Sequence, residues 1–586
     1  MTKITVQKFG SSVLPSRHDL GRAVDEIYAS VRQGRKVVAV VSAFGDTTDL
    51  LLEQAHAFSA EPDMLGLASL VATGEATAAS FLVLALDRAG VSAELFDASR
   101  AGLLTEGEPL NSTPISLDTA KFEEAFQESP VIVMPGFVGR NARGSQTLLG
   151  RGGSDLTALF VADQLQAECT LFKDVDGYYD RDPNTEGAKA KRFDTLSWES
   201  ALTIGGGVVQ EKAIHFSSER HLEFSVRAPG QEGQTSVGSF RDVLSGQRNT
   251  LLRQRVVLLG CGTVGLGVLK RLRELPNKFD VVAIAVSDLS KPRDNDIPRS
   301  ILYEDAYAAL AVEHDITIEV MGGFELPLEL IEQSLQAERH VVTANKEVIA
   351  QHGTRLEALA TAQGKKLLYA AAVGGATPCI EAAVRLSKEH RLEAAVGVLN
   401  GTTNYVLDEM AAGQSYPASV LAAQQAGFAE ADPTSDLNGA DVARKLSILV
   451  RRGFGVYLAP EDIRCEGIEN IGESDVARAT SRGEVIRLVA ECRRSPTGVD
   501  AWISPRYLPE HHALAKVKAE SNALTFYGED GAIETVRGKG AGRFPTAQAV
   551  VGDLWELLFA LEAKKPQESG HASIHYLAPS QHNACA

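Results

Sequence analysis

The sequence has few cysteines, no cysteine pair and no long apolar run. Its 586 residues include six cysteines, and no two of them are spaced as CxxC. Scattered cysteines argue against a disulfide scaffold or a zinc site and favour a reducing compartment. No run of about 18 apolar residues is present, so we expect no membrane-spanning helix. The first residues lack the basic and then apolar segments of a secretory signal, and a cytoplasmic protein is expected.

The chain has fewer basic than acidic residues. Lys and Arg number 58 against 76 Asp and Glu, which gives a net charge of −18. Such a protein does not favour broad contact with nucleic acid or anionic membrane, so we expect small molecules as its partners. Hydrophobic residues make up 44% and charged residues 23%, which is ordinary for a globular protein and excludes wholesale disorder. At roughly 100–200 residues per domain, the length predicts about three to five domains.

Short apolar runs alternate with amphipathic stretches along most of the chain. Val37–Val41 and Val131–Met134 are apolar runs closed by turn residues, and Leu20–Val31 has apolar residues at helical spacing. This alternation predicts an α/β fold with buried, mostly parallel strands. Residues 229–249 are polar and rich in Gly and Ser, and a new strand starts at Arg255–Leu259. We therefore expect two independently folding halves that meet near residue 250.

A glycine-rich turn follows the first strand of the second half. Its GxGxxG spacing after a strand and before a helix is typical of dinucleotide binding, although a tight turn without a ligand is the alternative. Near the end of the next strand, Asp288 would favour NAD by holding a ribose hydroxyl. Lys291 or Arg293 would instead hold the extra phosphate of NADP. The alternative to both is an ordinary solvated charge cluster, so the sequence leaves the choice open. The three glycines are Gly260, Gly262 and Gly265.

Acids and lysines cluster later in this half. Lys346 follows a strand that ends near Thr343, where ligands bind in doubly wound sheets. Asp441 and Lys445 are four residues apart, so on a helix they share a face. A surface salt bridge is the simpler interpretation. Beside a nucleotide fold, however, carboxylates can orient a polar substrate and a lysine can protonate a developing alkoxide, as carbonyl reduction requires.

Motifs across about residues 253–580 resemble homoserine dehydrogenase. They are GCGTVG, VVTANKEVIA, GVLNGTTNYVLDEM, AEADPTSDLNGADVARK and GKGAG followed by TAQAVVGDL. The resemblance implies reversible reduction of L-aspartate 4-semialdehyde to L-homoserine with NADH or NADPH, in threonine and methionine biosynthesis. It implies catalytic roles for Lys346 and Lys445, and substrate binding by Glu430 and Asp441. It implies cofactor contacts at Gly260, Gly262, Thr263, Val264, Gly265, Thr343 and Gly542.

The same resemblance implies a monovalent cation held by backbone carbonyls. The matching carbonyls are those of Val373, Gly375 and Thr377. An acidic residue is expected three positions before Val373, but this position is Ala370. The expectation of a sodium site is weakened by that substitution.

Three small-residue loops follow predicted strands in the first half. Lys8–Ser12 reads KFGSS, 42–49 reads SAFGDTTD, and Gly150–Asp155 reads GRGGSD. None is a Walker loop. Each alone is typical of a tight turn, but backbone N–H groups and cations at three such loops together favour a phosphoryl-transfer or anion site.

Motifs across about residues 1–240 resemble aspartokinase of the amino acid kinase family. They are KFGSS, VSAFGDTTD, TGEATAAS, MPGFVGRNARGSQTLLGRGGSDLTA and KDVDGYYDRDP. The resemblance implies transfer of the γ-phosphate of MgATP to the side-chain carboxylate of aspartate. It implies catalytic roles for Lys8 and Asp155, and aspartate binding by Thr48, Glu75 and Arg151. It implies nucleotide contacts at Gly10, Ser11, Lys173, Asp174, Tyr179 and Asp182.

Two departures from that family leave alternatives open. The first loop reads KFGSS where the family usually has a second glycine, and the gap between the two halves is too short for the family's regulatory ACT modules. The chain is therefore expected to be either a compact bifunctional enzyme or a homoserine dehydrogenase whose inactive kinase-like domain serves ligand binding or assembly. A non-catalytic binding protein is the third hypothesis. A homodimer or homotetramer is expected.

The resemblances predict an α/β fold with an amino-acid-kinase-like domain, a Rossmann doubly wound domain and a mixed α/β substrate and dimerisation domain. The expected boundaries are 1–240 for the kinase domain, 241–252 for a linker, 253–377 for the Rossmann domain, 378–545 for the substrate domain and 546–586 for a C-terminal segment that returns to the nucleotide domain.

Overall fold

The computed structural model describes residues 3–181, 183, 190–204, 207–231, 233–245, 253–291 and 297–563. Four sheets with helices on their faces organise these residues. Asp182 and Arg293, both named above as candidates for nucleotide contacts, lie outside the described residues.

The first half is built on a nine-stranded sheet and a smaller four-stranded sheet. The nine strands run in the order β13-β10-β12-β11-β9-β1-β2-β6-β3, and the six from β11 to β3 are mutually parallel. The four-stranded sheet has the order β5-β4-β7-β8. The strands are β1 (Ile4–Phe9), β2 (Lys36–Val41), β3 (Ala93–Leu95), β4 (Leu104–Glu108), β5 (Asn111–Ser116), β6 (Val131–Pro135), β7 (Val138–Arg140), β8 (Gln146–Leu148), β9 (Glu168–Phe172), β10 (Phe193–Ser197), β11 (Phe224–Arg227), β12 (Gln234–Gly238) and β13 (Val243–Leu244).

Helices cover both faces of the large sheet, so its central strands are almost wholly buried and apolar, as parallel strands require. The helices are α1 (Leu20–Arg32), α2 (Thr47–Phe58), α3 (Met64–Ala89), α4 (Thr119–Glu128), α5 (Gly153–Leu165), α6 (Trp198–Ile204) and α7 (Glu211–Glu219).

Helix α3 is the one helix of the described residues that is long and apolar enough to cross a membrane by length and composition. Half of its most apolar window is buried inside the protein. Leu67, Val71 and Leu82 pack into the two cores of the kinase half, and Glu75 is buried beside them. These contacts are those of a core helix in a globular domain.

The second half begins with a six-stranded, all-parallel sheet in the order β16-β15-β14-β17-β18-β19. Numbered from its own first strand, this is the 3-2-1-4-5-6 order of a dinucleotide-binding fold. Its elements are β14 (Gln254–Leu259), α8 (Thr263–Arg273), β15 (Phe279–Ala285), β16 (Leu302–Tyr303), α9 (Ala306–Leu310), β17 (Ile316–Glu319), α10 (Glu325–Gln336), β18 (His340–Thr343), α11 (Lys346–Ala362) and β19 (Leu367–Leu368).

The rest of the chain forms a second sheet in the order β21-β23-β22-β20-β24-β25, which is antiparallel except for the β21–β23 pair. Its elements are α12 (Cys379–Glu389), β20 (Ala394–Val398), α13 (Gly401–Ala411), α14 (Tyr416–Gln425), α15 (Thr434–Leu437), α16 (Ala440–Phe454), β21 (Arg464–Cys465), α17 (Glu473–Ser481), β22 (Glu484–Ser495), β23 (Gly498–Pro509), β24 (Ser521–Gly528), β25 (Gly531–Lys539) and α18 (Arg543–Ala563).

The last helix packs on the nucleotide sheet and not on the sheet that precedes it. Val550, Leu554 and Leu558 of α18 share one core with Val256 and Leu258 of β14. Because β14 and α8 form the glycine-rich turn, the end of the described chain supports the start of its second half.

Candidate active sites in the two halves

The glycine-rich turn has the backbone geometry that its spacing predicts. Gly260 has φ +97°, and a Cβ there would lie 2.8 Å from the carbonyl oxygen of Val320. A Cβ on Gly265 would lie 2.1 Å from the carbonyl oxygen of Gly260. Gly262 instead has open space around it at the N-terminus of α8, where Thr263 and Val264 follow. The turn is therefore closely packed at Gly260 and Gly265 and open at Gly262, where a pyrophosphate would approach the backbone.

A buried carboxylate supports the neighbouring strand ends. Glu319 at the end of β17 accepts from the Thr343 hydroxyl at the end of β18 and, at 2.8 Å, from Met321 N. Thr343 Oγ1 also accepts from Asn345 N at 3.0 Å. Burial raises the pKa of Glu319 to about 7, despite these hydrogen bonds. The Thr343 side chain is therefore held by the protein, and sequence analysis did not single out Glu319.

Two lysines from different helices meet one aspartate. Lys346 Nζ at the start of α11 is 2.6 Å from Asp441 Oδ1, and Lys445 Nζ on α16 is 2.7 Å from Asp441 Oδ2. Lys445 also donates to the carbonyl oxygen of Leu399 at 2.8 Å. Burial alone would raise the pKa of Asp441, but the two ammonium groups hold it well below its usual range. The charge of Asp441 in turn raises the pKa of Lys346.

Two further polar residues join this cluster. Asn400 Nδ2 donates to Asp441 Oδ2 at 3.0 Å and to Asp436 Oδ1 at 2.8 Å, and Thr402 Oγ1 donates to Asp436 Oδ2 at 3.0 Å. Asp436 belonged to the acidic stretch but was not chosen as a site residue. Asn400 could have been found as a helix N-cap: an Asn precedes the helix-forming run 401–411, and its Oδ1 accepts from Thr403 N.

Glu430 lies apart from this cluster. It is exposed in the loop after α14, and its backbone carbonyl accepts from Gln424 Nε2 at 3.2 Å. Among the described residues, the ion pairs of Lys346 and Lys445 are with Asp441 and not with Glu430. Asp288 near the dinucleotide turn accepts from Ser290 N at 2.8 Å and from Ser290 Oγ at 2.6 Å, so it is engaged within its own turn.

The predicted cation turn touches the glycine loop before α18. Val373 and Thr377 are buried, and a Cβ on Gly375 would lie 2.9 Å from the carbonyl oxygen of Gly540. The Thr377 carbonyl already accepts from Cys379 N at 2.7 Å. Gly542, in the same glycine loop, has φ +108° and its carbonyl accepts from Thr546 N at 3.1 Å.

The kinase half has its own charged centre, again with two lysines on one aspartate. Lys8 Nζ at the end of β1 is 2.6 Å from Asp155 Oδ1, and Lys173 Nζ after β9 is 2.8 Å from Asp155 Oδ2. Asp155 lies in the first turn of α5. Burial would raise its pKa, but the lysines hold it at about 2, while burial lowers the pKa of Lys8 to about 8. The first and third predicted loops therefore meet at this centre.

Backbone and hydroxyl groups complete this centre. A Cβ on Gly10 would lie 2.8 Å from Lys8 Nζ, so glycine leaves room for the ammonium group. Ser42 Oγ donates to Ser154 Oγ at 2.9 Å, which joins the second and third loops. Ser11 and Thr47 line an adjacent cavity of about 750 Å³ between the first two loops.

The predicted aspartate-binding residues are only partly together. Burial raises the pKa of Glu75 to about 7, against hydrogen bonds from Ala43 N–H and the Thr48 hydroxyl. Among the described residues, its Oε2 is buried without a hydrogen-bond partner. Arg151 is exposed, as is Asp174 of the predicted nucleotide set. Tyr179 is buried, and its hydroxyl donates to Asp176 at 2.6 Å.

These two centres define a two-site enzyme, with a nicotinamide-dinucleotide oxidoreductase site in one half and a phosphoryl-transfer site in the other. Family models match each half. Residues 3–220 match the amino acid kinase family, 260–370 the homoserine dehydrogenase NAD-binding domain, and 378–555 homoserine dehydrogenase itself.

Two sequence relatives agree with the family models. The chain is 36% identical over 310 residues to a homoserine dehydrogenase of Bacillus subtilis, covering 51% of this chain and 72% of that protein. It is 38% identical over 314 residues to one of Corynebacterium glutamicum, covering 51% and 70%. A solved homoserine dehydrogenase from Thiobacillus denitrificans is 34% identical, with a TM-score of 0.49 and coverage of 54% and 76%.

The chain belongs to the homoserine dehydrogenase family. Its amino acid kinase domain precedes the NAD-binding and catalytic domains, which is the arrangement of a bifunctional aspartokinase–homoserine dehydrogenase. The two resemblances, the α/β fold class and the expectation of a nicotinamide dinucleotide are confirmed.

Proposed function

We propose that the second half reduces L-aspartate 4-semialdehyde to L-homoserine by means of the Lys346–Asp441–Lys445 cluster. Lys346 follows β18 at the carboxyl edge of the nucleotide sheet, whereas Asp441 and Lys445 lie on α16 of the substrate domain. The cluster therefore bridges the nucleotide and substrate domains, where a dinucleotide and an aldehyde would meet. This bridging ion-pair cluster is the observation that carries the proposal.

A bound dinucleotide would supply the hydride that reduces the aldehyde carbon. The side chains act on the aldehyde oxygen, where negative charge develops. Lys445 is buried and fixed by Asp441 and the Leu399 carbonyl, so its ammonium group is positioned to give a proton to that oxygen. Lys346 is 41% exposed and adds positive charge from the cofactor side. Asp441 orients both lysines.

The carboxylates left for the substrate's own ammonium group are Asp436 and Glu430. Asp436 is placed beside the cluster by Asn400 and Thr402. Glu430 is in an exposed loop and would need to swing inward. The turn at Gly262 fits either dinucleotide, and because Asp288 is engaged by Ser290 we do not assign it to the ribose of NAD. The KM values for NADH and NADPH are the direct comparison.

We further propose that the first half phosphorylates L-aspartate with MgATP. Lys8 and Lys173 offer two ammonium groups beside the glycine loop, and Asp155 fixes both of them. Phosphoryl transfer is catalysed mainly by such positioning and by neutralisation of phosphate charge. Magnesium bound to the ATP phosphates would neutralise part of their charge.

The Val373–Thr377 carbonyls remain a proposed sodium site, with one carbonyl already engaged and with Ala370 in place of an acid. Assembly as a homodimer or homotetramer and a cytoplasmic location also remain predictions. Light scattering of the purified protein gives the oligomer size, and titration of NaCl against KCl in the dehydrogenase assay tests the cation.

Two assays on the purified full chain test the proposed function. The first follows oxidation of NADH or NADPH with aspartate semialdehyde. The second traps aspartyl phosphate with hydroxylamine in the presence of MgATP and aspartate. We expect both to be positive. A positive first assay with no hydroxamate at saturating MgATP would favour the alternative, in which the kinase-like domain serves ligand binding or assembly.

A further inference from the structure

The kinase half reaches the dehydrogenase through a buried arginine. Arg32, the last residue of α1, has a side chain that is 8% exposed. Its Nε lies 2.8 Å from Glu381 on α12, and its Nη2 lies 2.7 Å from Asp553 Oδ1 and 3.1 Å from Glu556 on α18. One guanidinium group from the kinase half thus neutralises carboxylates from two helices of the other half.

Asp553 links Arg32 to a turn of the dehydrogenase half. Its second oxygen, Oδ2, accepts from Ala370 N at 2.9 Å. Ala370 opens the short 3-10 turn Ala370–Ala372, and the proposed cation turn follows directly at Val373. Because a carboxylate is planar, holding Oδ1 with Arg32 fixes the direction in which Oδ2 points. The start of this turn is therefore oriented by a residue of the kinase half.

A second contact from the kinase half reaches the other side of the turn. The carbonyl of Gly90, just after α3, accepts from Lys539 N at 3.0 Å, and Lys539 O accepts from Ala376 N at 3.1 Å. Lys539 Nζ also pairs with Asp87 on α3 at 3.0 Å. A Cβ on Gly90 would lie 2.8 Å from Ala376 Cβ, so the two halves are in close contact here.

We propose that Arg32 is a positioning residue for the dehydrogenase, acting through Asp553 on the turn that contains Val373, Gly375 and Thr377. The kinase half is then a structural part of the dehydrogenase site, whether or not it phosphorylates aspartate. The proposal rests on the proposed function of the second half. The two can be tested separately. Failure of the wild-type protein to reduce aspartate semialdehyde would defeat the proposed function, whereas the positioning role of Arg32 is judged on the variants.

The observed charges explain why Arg32 would be difficult to replace. Without it, Glu381 and Asp553 would be two buried carboxylates with no cation between them. Burial already raises the pKa of both groups, that of Asp553 to about 7, although Arg32 opposes the shift. A neutral side chain at position 32 would therefore favour protonation of Asp553. A protonated Asp553 offers Ala370 N only its carbonyl oxygen, and no guanidinium then fixes which of the two oxygens faces Ala370 N.

The test compares two kinase-half variants with a matched control. Arg32→Met removes the buried guanidinium, and Asp87→Ala removes an exposed contact to Lys539. The control is Glu128→Ala, which breaks an exposed ion pair with 2.9 Å between Glu128 Oε1 and Lys516 Nζ. This ion pair also joins the two halves, but it involves no residue of the cation turn or of the glycine loop before α18. Each variant is assayed for dehydrogenase kcat and KM, for the concentration of NaCl or KCl that gives half-maximal rate, and for hydroxamate formation.

We expect Arg32→Met to lower dehydrogenase kcat/KM at least tenfold and Asp87→Ala to lower it about twofold to fivefold. Hydroxamate formation should stay within about twofold, and the salt concentration for half-maximal dehydrogenase rate should rise, because the turn is less well ordered. Arg32→Lys should recover part of the loss. Unchanged dehydrogenase kinetics and salt dependence in Arg32→Met would overturn the proposal.

Arg32→Met could also fail to fold, and Asp87→Ala then decides the question. Asp87 is 67% exposed, so its loss leaves no buried group unpaired. A decrease in Asp87→Ala that is absent in Glu128→Ala supports the proposal. Equal behaviour of these two variants would show that the interface holds the halves together without positioning the turn.

Discussion

Lys445 lies one helical turn beyond Asp441 on α16, with 2.7 Å between Lys445 Nζ and Asp441 Oδ2. Both side chains are buried, at 10% and 3% exposed, so this is not the surface salt bridge that such spacing usually forms. Desolvating a lysine and an aspartate together is costly unless further polar contacts compensate. Lys346, Asn400 and the Leu399 carbonyl provide them here. These contacts compensate for the burial of the two charged groups.

Lys445→Ala should remove most aldehyde reduction and leave dinucleotide binding almost unchanged. In the proposed mechanism the lysine acts on charge at the substrate oxygen and not on the pyrophosphate. Loss of a positioned proton donor typically lowers the rate by about 10²–10⁴-fold. Steady-state kcat and the Kd for NADPH, from fluorescence titration, measure the two effects. The surface variant Lys388→Ala is the control, and near-wild-type turnover in Lys445→Ala would remove this residue from the mechanism.

Lys8→Ala and Asp155→Ala should each abolish aspartyl phosphate formation without changing dehydrogenase rates. Lys8 neutralises phosphate charge, while Asp155 holds both Lys8 and Lys173 in place. The wild-type reaction should also require Mg²⁺. Hydroxamate trapping with and without EDTA gives the kinase rate, and NADPH oxidation by the same samples checks that the fold is intact. Equal hydroxamate yields from wild type and Lys8→Ala would contradict the assignment.

Glu319 predicts a pH dependence of stability. Its folded pKa is about 7, above its ordinary value of 4.5, because burial disfavours the carboxylate. The folded state then binds more protons than the unfolded state between pH 4.5 and 7, so this group's contribution is fully present below about pH 4.5 and is lost as pH rises through 7. The loss amounts to about 3 kcal/mol. Urea unfolding at a series of pH values measures it.

Glu319→Gln is the matched variant for this titration. The amide keeps one oxygen for Met321 N and presents an N–H to Thr343 Oγ1, as the protonated acid would. We expect its free energy of unfolding to exceed that of wild type at pH 8 and to match it near pH 5. The same difference at both pH values would show that Glu319 does not titrate as described.

Neither activity should show cooperative inhibition by threonine or lysine at modest concentrations. Allostery needs a second site whose ligand distinguishes two states, and no regulatory ACT module fits between residues 240 and 253. Threonine at high concentration should still compete with homoserine, since both are small hydroxy amino acids. Initial rates against threonine at several homoserine concentrations test this. A sigmoidal response that homoserine does not shift would reveal a regulatory site.

Local sequence patterns predicted much of the fold and part of each site. The apolar runs at Val37–Val41 and Val131–Met134 became β2 and β6, because buried parallel strands need nearly continuous apolar residues. The glycine spacing at Gly260 predicted its turn, and the four-residue spacing of Asp441 and Lys445 predicted their shared face. These are all consequences of backbone geometry over a few residues.

Contacts between distant segments could not be predicted in this way. Arg32 and Asp553 are 521 positions apart, and nothing in either neighbourhood indicates the other. Sequence analysis did not single out Glu319, because its burial depends on how β17 and β18 lie together. Asp436 was one of several acids in a short stretch, and only the fold shows that Asn400 selects it.

The position of α18 has a consequence for synthesis of the chain on the ribosome. This last described helix covers Arg32 and packs on β14, so it completes surfaces made several hundred residues earlier. At about 5–20 residues per second, roughly 15–60 s separate the end of the kinase half from the end of α18. During that interval the first half presents Arg32 without the carboxylates of Glu381, Asp553 and Glu556, which leaves an uncovered cationic patch. Newly made first halves would be open to premature association, and a chaperone that shields this patch would matter most while the second half is still being translated.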